Sequence, residues 1–339
     1  MDFNTLTILF YGFLFGAILQ SAKLNRFDTI SGMATLENYK VAKAIALAIG
    51  VGVILLNIEI GMGFASYHTK PLILGGVVVG GLIFGAGMAI LGYCPGTMMI
   101  SLGEGSIDAA VGLLGGLLGG LVYTLILPSI GGLLGPDLGT FSLNSIAGST
   151  PVLFYMLVFV FGALFIAIAF VVHKIEKVTD RSWIFAGVAL AILNCIIFLK
   201  IGMDRQLGAS TAYPYLANLI AGNTENESFI KSIKSGSWEL IFLGGTMLAG
   251  LVISLFRKDF KIRLIQPNWE RYRGNSAGGR ISWALFGGFI LIFGARMAGG
   301  CTSGHVISGG MQLAVSSLVF ALFVFAGLLI TGRLFYRKR

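Results

Sequence analysis

Two short cysteine segments lie in corresponding positions of the two halves of the chain. Residues 92–97 read Gly-Tyr-Cys-Pro-Gly-Thr, and residues 300–305 read Gly-Cys-Thr-Ser-Gly-His. Helices continue poorly through such glycine- and proline-rich stretches, so each cysteine is expected in a helix break. Backbone N–H groups at the start of the next helix attract anions and favour the thiolate form of a nearby cysteine. The two segments therefore predict a site for a small anion that both sulfur atoms can contact.

Polar side chains beside these breaks add donors and charge to the predicted site. Arg296 lies inside an apolar run, where a charged side chain is a functional candidate by default. Snorkelling, or pairing with a carboxylate such as Glu59, is the alternative for that arginine. Arg26 and Arg205 either attract an anion at the two mouths of a path or serve only as topology signals. The predicted substrate path comprises Cys94, Cys301, Thr97, Thr302, Ser303, His305, Arg296, Arg26 and Arg205.

The other thiol and the histidines point away from metal chemistry. Cys195 lies in the middle of an apolar run and is predicted to be a small packing residue. A purely structural role at a tight turn stays open for Cys94 and Cys301. The three cysteines and three histidines show no metal-site spacing, and no phosphate-binding loop motif is present. We therefore expect no metal, no cofactor and no ATP drive within this chain.

The elements that must position these residues are transmembrane helices. The chain is 56% hydrophobic and 12% charged and contains 49 glycines, with a mean hydropathy of +0.87. These values are typical of an all-α polytopic membrane protein, predicted here as a single integral membrane transport domain over residues 1–339. About nine apolar runs are long enough to cross a bilayer: residues 3–20, 41–60, 71–91, 107–128, 151–173, 183–202, 237–256, 281–299 and 313–335.

The basic residues predict the orientation of these helices. Residues 257–280 contain seven Lys or Arg and the C-terminal tail adds more, including Lys338 and Arg339, whereas residues 129–150 contain none. Because basic loops stay in the cytoplasm, the N-terminus is predicted outside and the C-terminus inside, which requires an odd number of crossings. The net charge of +9 is thereby explained by topology. We expect no nucleic-acid binding.

The two halves, about residues 1–130 and 151–339, share a second feature. An apolar run is followed by an arginine and, five residues later, by a serine: Arg26 and Ser31 in the first half, Arg205 and Ser210 in the second. In the predicted orientation, the Arg26 and Cys94 segments approach from the cytoplasmic side and the Arg205 and Cys301 segments from outside. This arrangement is typical of an inverted-topology repeat, in which a matched pair of interrupted segments marks the substrate path.

The two cysteine segments, the Gln20 to Phe27 stretch and the Arg205 to Ser210 stretch resemble the YeeE/YedE family over nearly the whole chain. That resemblance implies a bacterial inner-membrane protein, hourglass-shaped and built of inverted repeats, that takes up sulfur compounds, thiosulfate above all. It implies that Cys94 and Cys301 pass the sulfur anion along by transient contacts. It also implies a TusA-like sulfur-carrier protein as a possible cytoplasmic partner.

One position departs from the family pattern. Its thiosulfate importers carry a further cysteine after the Arg-Phe pair, where this chain has Asp28. A carboxylate repels an approaching dianion, so this departure argues against strict specificity for thiosulfate. A selenium-compound transporter of the same family is the first alternative. A membrane thiol enzyme that forms a persulfide on Cys301 is the second, and a water-filled channel the third. Single cysteines on opposite sides argue against a disulfide-forming oxidoreductase, and we expect no enzyme activity.

Overall fold

The computed structural model describes residues 3–337, and within this range the chain is helical with no strand. Lys338 and Arg339, which the topology prediction counted, lie outside the described residues. The helices are α1 (Phe3–Ser21), α2 (Phe27–Ala34), α3 (Lys40–Gly61), α4 (Leu74–Leu91), α5 (Pro95–Gly103), α6 (Ile107–Ile130), α7 (Leu143–Ala147), α8 (Pro151–Glu176), α9 (Ser182–Phe198), α10 (Ala212–Ala221), α11 (Glu227–Phe256), α12 (Pro267–Arg273), α13 (Ala277–Met297) and α14 (Val315–Phe335). A π-helical segment, Thr302–Gly309, lies between the last two.

Eight helical stretches within residues 3–337 are long and apolar enough to cross a membrane. The remaining predicted span, residues 183–202, corresponds to α9, which ends at Phe198 and has 17 residues. At 1.5 Å per residue it reaches about 26 Å, near the lower limit for a crossing. The chain is thus an all-α polytopic membrane protein in which α9 is the short member.

Both predicted helix breaks are present, and a left-handed glycine marks each one. Gly92 has φ 80° and ends α4, after which α5 begins at Pro95. Gly299 has φ 73°, two residues after the end of α13, and the π-helical segment begins at Thr302. This region of φ is open to glycine and strained for other residues. Each cysteine therefore occupies the residue directly before a short helix.

The helix contacts repeat between the two halves. Helix α1 packs on α11 and α3 on α9, while α6 packs on α13 and α4 on α14. Helices α4 and α13 also pack on each other, as do α1 and α9. Exchanging α1 with α9, α3 with α11, α4 with α13 and α6 with α14 leaves this list unchanged. Such a set of contacts is what a two-fold repeat requires, with α8 as an additional helix.

Small residues let these helices approach closely. A Cβ atom added to Gly115 or Gly119 of α6 would collide with the backbone carbonyls of Leu285 or Phe289 on α13. The four-residue spacing of glycines on α6 therefore serves helix packing, as in other membrane bundles.

The two breaks lead to opposite ends of the bundle. The turn after α5 hydrogen bonds to the basic segment, with Ile107 N donating to Arg263 O at 2.8 Å, and Arg26 lies at this end, paired with Asp259. The π-helical segment leads to the other end, where Val315 N donates to Phe141 O at 2.9 Å. We call these the Arg26 end and the Arg205 end. The segments that follow the two breaks therefore contact different connections of the bundle.

A buried ion pair fastens the Arg26 end. Arg280 of α13 and Asp108 of α6 are fully buried, and their side chains are 2.6 Å apart. Arg280 also donates to the carbonyl oxygens of Ile90 and Leu91 at 3.2 and 2.8 Å, and it lies between the rings of Phe27 and Trp269. One side chain therefore joins α2, α4, α6, α12 and α13.

We predict that Arg280→Met destabilises the protein by about 3–5 kcal/mol, because it leaves the buried Asp108 carboxylate without a counter-charge. The thermal unfolding midpoint in detergent measures this loss. Arg271→Met is the matched control: Arg271 pairs with Glu37 at 3.1 Å in an exposed position, where a pair contributes at most about 1 kcal/mol. Equal unfolding midpoints for the two variants would contradict the stabilising role of the buried Arg280–Asp108 pair.

Candidate functional site

Cys94 and Cys301 line one central cavity, although 207 positions separate them in the chain. Thr97, Thr302 and Ser303 line it too, so five of the predicted path residues meet here. The rest of the wall is apolar and includes Phe15, Leu19, Met33, Met88, Leu190 and Val306. A small ligand inside would meet an almost wholly apolar wall, with the three hydroxyls set behind it beside the two cysteines.

Cys94 occupies the residue before α5, where its own backbone helps to cap the helix. Its N–H donates to the Thr97 hydroxyl oxygen at 2.8 Å, and its carbonyl accepts from Met98 N at 2.9 Å. The Thr97 hydroxyl lies 3.2 Å from the Cys94 sulfur. This geometry follows from the local sequence, because proline suits the first position of a helix and a threonine three residues after the cap completes a reciprocal pair.

Cys301 has the equivalent position before the π-helical segment. Its carbonyl accepts from His305 N at 2.8 Å, and its sulfur lies 3.2 Å from the Ser303 hydroxyl. The Thr302 hydroxyl is buried and has no hydrogen-bond partner among residues 3–337. A buried donor without a partner is costly unless a ligand or water satisfies it. Each cysteine is thus paired with a hydroxyl, and an additional hydroxyl is available at Cys301.

A polar vestibule at the Arg205 end reaches Cys301, which lines both this vestibule and the central cavity. Four basic side chains line the vestibule, against one carboxylate, that of Glu239. The basic residues are Lys70, Arg205, Lys231 and Arg296. The rest of the wall comes from the 206–211 stretch, from three serines of α11 and from the Cys301 segment with its glycines. The vestibule carries a net positive charge and suits an anion.

Arg296 and Arg205, two of the three arginines in the predicted path, both contact other side chains. Arg296 donates to the Thr211 hydroxyl at 3.1 Å, and the structure does not bring it to Glu59. Arg205 lies 3.9 Å above the ring of Trp238 and 3.9 Å from Glu239. Glu239 in turn accepts from Thr211 N at 2.6 Å. Both guanidinium groups are held in place while remaining part of the vestibule wall.

A second vestibule lies at the Arg26 end. It is lined by the basic residues Arg26, Lys261 and Arg263 and by the carboxylates of Asp28, Glu104 and Asp259. Arg26 pairs with Asp259 at 3.1 Å, and Asp28 accepts from Asn268 N at 2.8 Å. Burial raises the pKa of the Glu104 carboxyl, and nearby Arg26 opposes that shift. Basic and acidic groups are therefore balanced here, unlike at the opposite end.

His305 and Cys195 lie apart from these three cavities. His305 lines neither the central cavity nor the two vestibules. Its ring nitrogens lie 2.8 Å from Ala298 O and 3.1 Å from the Ser317 hydroxyl, so it holds the backbone of the second break. Cys195 is buried in helix packing between α9 and its neighbours. No group of three or more His, Cys, Asp or Glu side chains suited to a metal ion occurs within residues 3–337.

Lys70 is a vestibule residue that sequence reasoning missed. It belongs to the α3–α4 connection and meets the Cys301 segment only in three dimensions, through Nζ donating to Gly299 O at 2.6 Å. No motif surrounds it, and as a lone lysine in a loop it is indistinguishable from a topology signal. The repeat offered one indirect signal, since the corresponding connection in the second half, between α11 and α13, contains Lys261 and Arg263 of the Arg26 vestibule.

Comparison with known proteins agrees with this geometry. A family model described as sulphur transport matches residues 27–330, which include both helix breaks and the lining of the three cavities apart from Phe15, Leu19, Leu24 and Arg26. The thiosulfate transporter TsuA of Spirochaeta thermophila is 26% identical over 334 residues, covering 95% of this chain and 96% of that protein. The similarity thus extends over the full arrangement of helices and is not confined to the cysteine segments.

Proposed function

Because the chain belongs to the sulphur-transport family, we propose that it takes up thiosulfate across the cytoplasmic membrane. The observation that carries the proposal is that Cys301 lines both a positively charged vestibule and the cavity that contains Cys94. The relative that is named as a thiosulfate transporter, aligned over nearly its whole length, supports this substrate. Because the family is one of transporters, the alternative of a membrane thiol enzyme is disfavoured. In this proposal the protein moves its substrate without converting it.

The Arg205 vestibule faces the outside in this proposal, and the Arg26 vestibule faces the cytoplasm. The basic segment 257–273 supports this orientation, because it lies at the Arg26 end with α12. The helix exchange described above supports inverted repeat halves of about residues 1–130 and 151–339 within one domain. A TusA-like sulfur carrier at the cytoplasmic end would receive the imported anion.

Charge drives the first step of the proposed path. Thiosulfate is a dianion, and a cleft lined by four basic groups and one acidic group raises its local concentration. The Arg26 vestibule has three groups of each sign, so it holds a dianion less strongly. The anion would enter where it is attracted and leave where attraction is weak. Asp28 contributes to that release and is itself held by Asn268.

The two thiols act in the apolar middle of the path. A dianion that leaves water loses its hydrogen bonds to water, and the hydrocarbon wall of the central cavity replaces few of them. The hydroxyls of Thr97, Thr302 and Ser303 can donate to the oxygens of thiosulfate. Its terminal sulfur is polarisable and can contact first Cys301 and then Cys94. The S–H group is a weak donor, so each contact is easily broken and the anion is not trapped.

We predict that fusion or cysteine-accessibility mapping places Thr140 outside and Asn268 in the cytoplasm. Thr140 lies in the connection before α7 and Asn268 in α12, at opposite ends of the bundle. Intact cells exposed to a membrane-impermeant thiol reagent measure the difference between single-cysteine variants at the two positions. Labelling of both from the same side would overturn the orientation and, with it, the direction of the proposed path.

We predict that Cys94→Ala and Cys301→Ala each reduce thiosulfate uptake about fivefold or more, because each removes one of the two sulfur contacts in the desolvated cavity. Cys195→Ala is the matched control and should keep nearly full uptake, since that thiol packs within α9. Labelled thiosulfate uptake into proteoliposomes at equal protein density is the measurement. Equal activity of the three variants would exclude a role for the thiols.

We predict that excess unlabelled sulfate competes with labelled thiosulfate uptake at least five times less effectively than unlabelled thiosulfate does. Sulfate has the same charge and similar oxygens but no soft sulfur atom, so it loses the thiol contacts while still losing its hydration. Each lost contact in a desolvated site costs about 1 kcal/mol or more, which is about fivefold in affinity. If sulfate competed as well as thiosulfate, the path would select its substrate by negative charge alone.

A further inference from the structure

Lys70 lies at the point where the Arg205 vestibule meets the second helix break. Its loop, residues 62–73, is held on both sides by hydrogen bonds. The Ser316 hydroxyl donates to Lys70 O at 2.9 Å, and His68 N donates to the Gln312 side chain at 2.6 Å. Leu72 N donates to Gly139 O at 2.8 Å. The lysine backbone is therefore fixed, so its side chain reaches the break from a defined position.

The glycines of the Cys301 segment leave room for the ammonium group. Lys70 Nζ donates to Gly299 O at 2.6 Å. A Cβ atom on Gly300 would collide with Nζ, and one on Gly304 would lie 3.3 Å from it. These two glycines flank Cys301, so their lack of side chains lets a positive charge approach the segment that carries the thiol. This is a specific reason for glycine at positions whose φ does not demand it.

No carboxylate within residues 3–337 forms an ion pair with Lys70. The charged or titratable groups around it are Arg205, Glu239, Arg296, the Cys301 thiol and the His305 ring. Glu239, the one carboxylate among them, is already engaged by Thr211 N and lies 3.9 Å from Arg205. Burial lowers the pKa of Lys70 to about 8. The nearby Cys301 has the second-largest effect and raises that pKa. The ammonium therefore lacks a fixed counter-ion.

We propose that Lys70 is the residue that binds and orients the oxyanion at the Cys301 end of the path. Gly299 O uses one of the three N–H donors of the ammonium group, which leaves two for substrate oxygens. With the oxygens held there, the terminal sulfur is directed to Cys301. This assignment rests on the proposed function and deepens it by naming the group that sets affinity.

The test compares Lys70→Met, Lys70→Arg and the control Lys200→Met. Lys200 lies at the same end and donates to a glycine carbonyl, Gly63 O, at 2.9 Å, but it lines neither the vestibule nor the central cavity. Lys70→Met should raise the KM for thiosulfate in proteoliposomes about tenfold or more, with Vmax within about twofold, because an uncompensated charge contact to the anion is lost. Lys70→Arg should restore most of the affinity, and Lys200→Met should match the wild type.

The pH dependence provides a second readout. The wild-type KM should rise between pH 7 and pH 9, because the Lys70 ammonium loses its proton as the pH passes about 8. In Lys70→Arg the charge persists, so the KM should stay nearly constant over this range. A pH dependence that survives in Lys70→Arg would assign the titration to Cys301 and overturn the role of Lys70.

A binding measurement separates this inference from the proposed function. Calorimetric titration of purified wild type and Lys70→Met with thiosulfate, sulfate and selenite should show weaker binding to the variant for whichever oxyanion binds. If the wild type imports no thiosulfate yet binds another oxyanion through Lys70, the proposed substrate is wrong and the binding role stands. Unchanged affinity in Lys70→Met, a loss of Vmax alone, or no oxyanion binding by the wild type would each overturn the role of Lys70.

Discussion

Backbone carbonyl groups at the ends of α4 and α13 lose their helical partners at the two breaks, inside a bundle that offers little water. An unsatisfied carbonyl at that depth costs several kcal/mol, so each must find a donor from another element. At the first break, Arg280 donates to Ile90 O and Leu91 O, and Tyr336 donates to Ala89 O. At the second break, the His305 ring hydrogen bonds to Ala298 O, and Lys70 donates to Gly299 O. The arrangement of the core around both cysteines depends on these donors.

These donors also explain why large polar side chains are buried among apolar helices. Arg280 requires Asp108, and Asp108 in turn accepts from Tyr93 at 3.1 Å and Gln266 at 3.2 Å. The resulting network joins the end of α4 to the start of α6 and to the residue before α12, so Tyr93, beside Cys94, is held from the Arg26 end. Since Tyr93 directly precedes Cys94, the position of that thiol depends on an ion pair whose arginine lies far from it in the chain.

The sequence was sufficient for the features that depend on local chemistry. Glycine and proline beside Cys94 and Cys301 predicted both helix breaks, apolar runs predicted the spans, and the serine and threonine neighbours predicted the hydroxyls at each thiol. Features that depend on pairing between distant residues were harder to predict. His305 was predicted as a donor beside the thiols, and in the structure its ring lies 2.8 Å from Ala298 O and lines none of the three cavities. Lys70 was missed because its partner, Gly299, is 229 positions away.

The two breaks meet the same backbone requirement with cations that differ in whether a carboxylate neutralises them. At the first break the cation is Arg280, fully buried and neutralised by Asp108, so it has no charge to offer a substrate. At the second break it is Lys70, which lines an open vestibule with Arg205 and Arg296. A two-fold repeat alone would make the two ends equivalent. The two ends differ in charge: basic groups outnumber carboxylates in the vestibule next to Lys70, whereas the Arg26 vestibule has equal numbers of both.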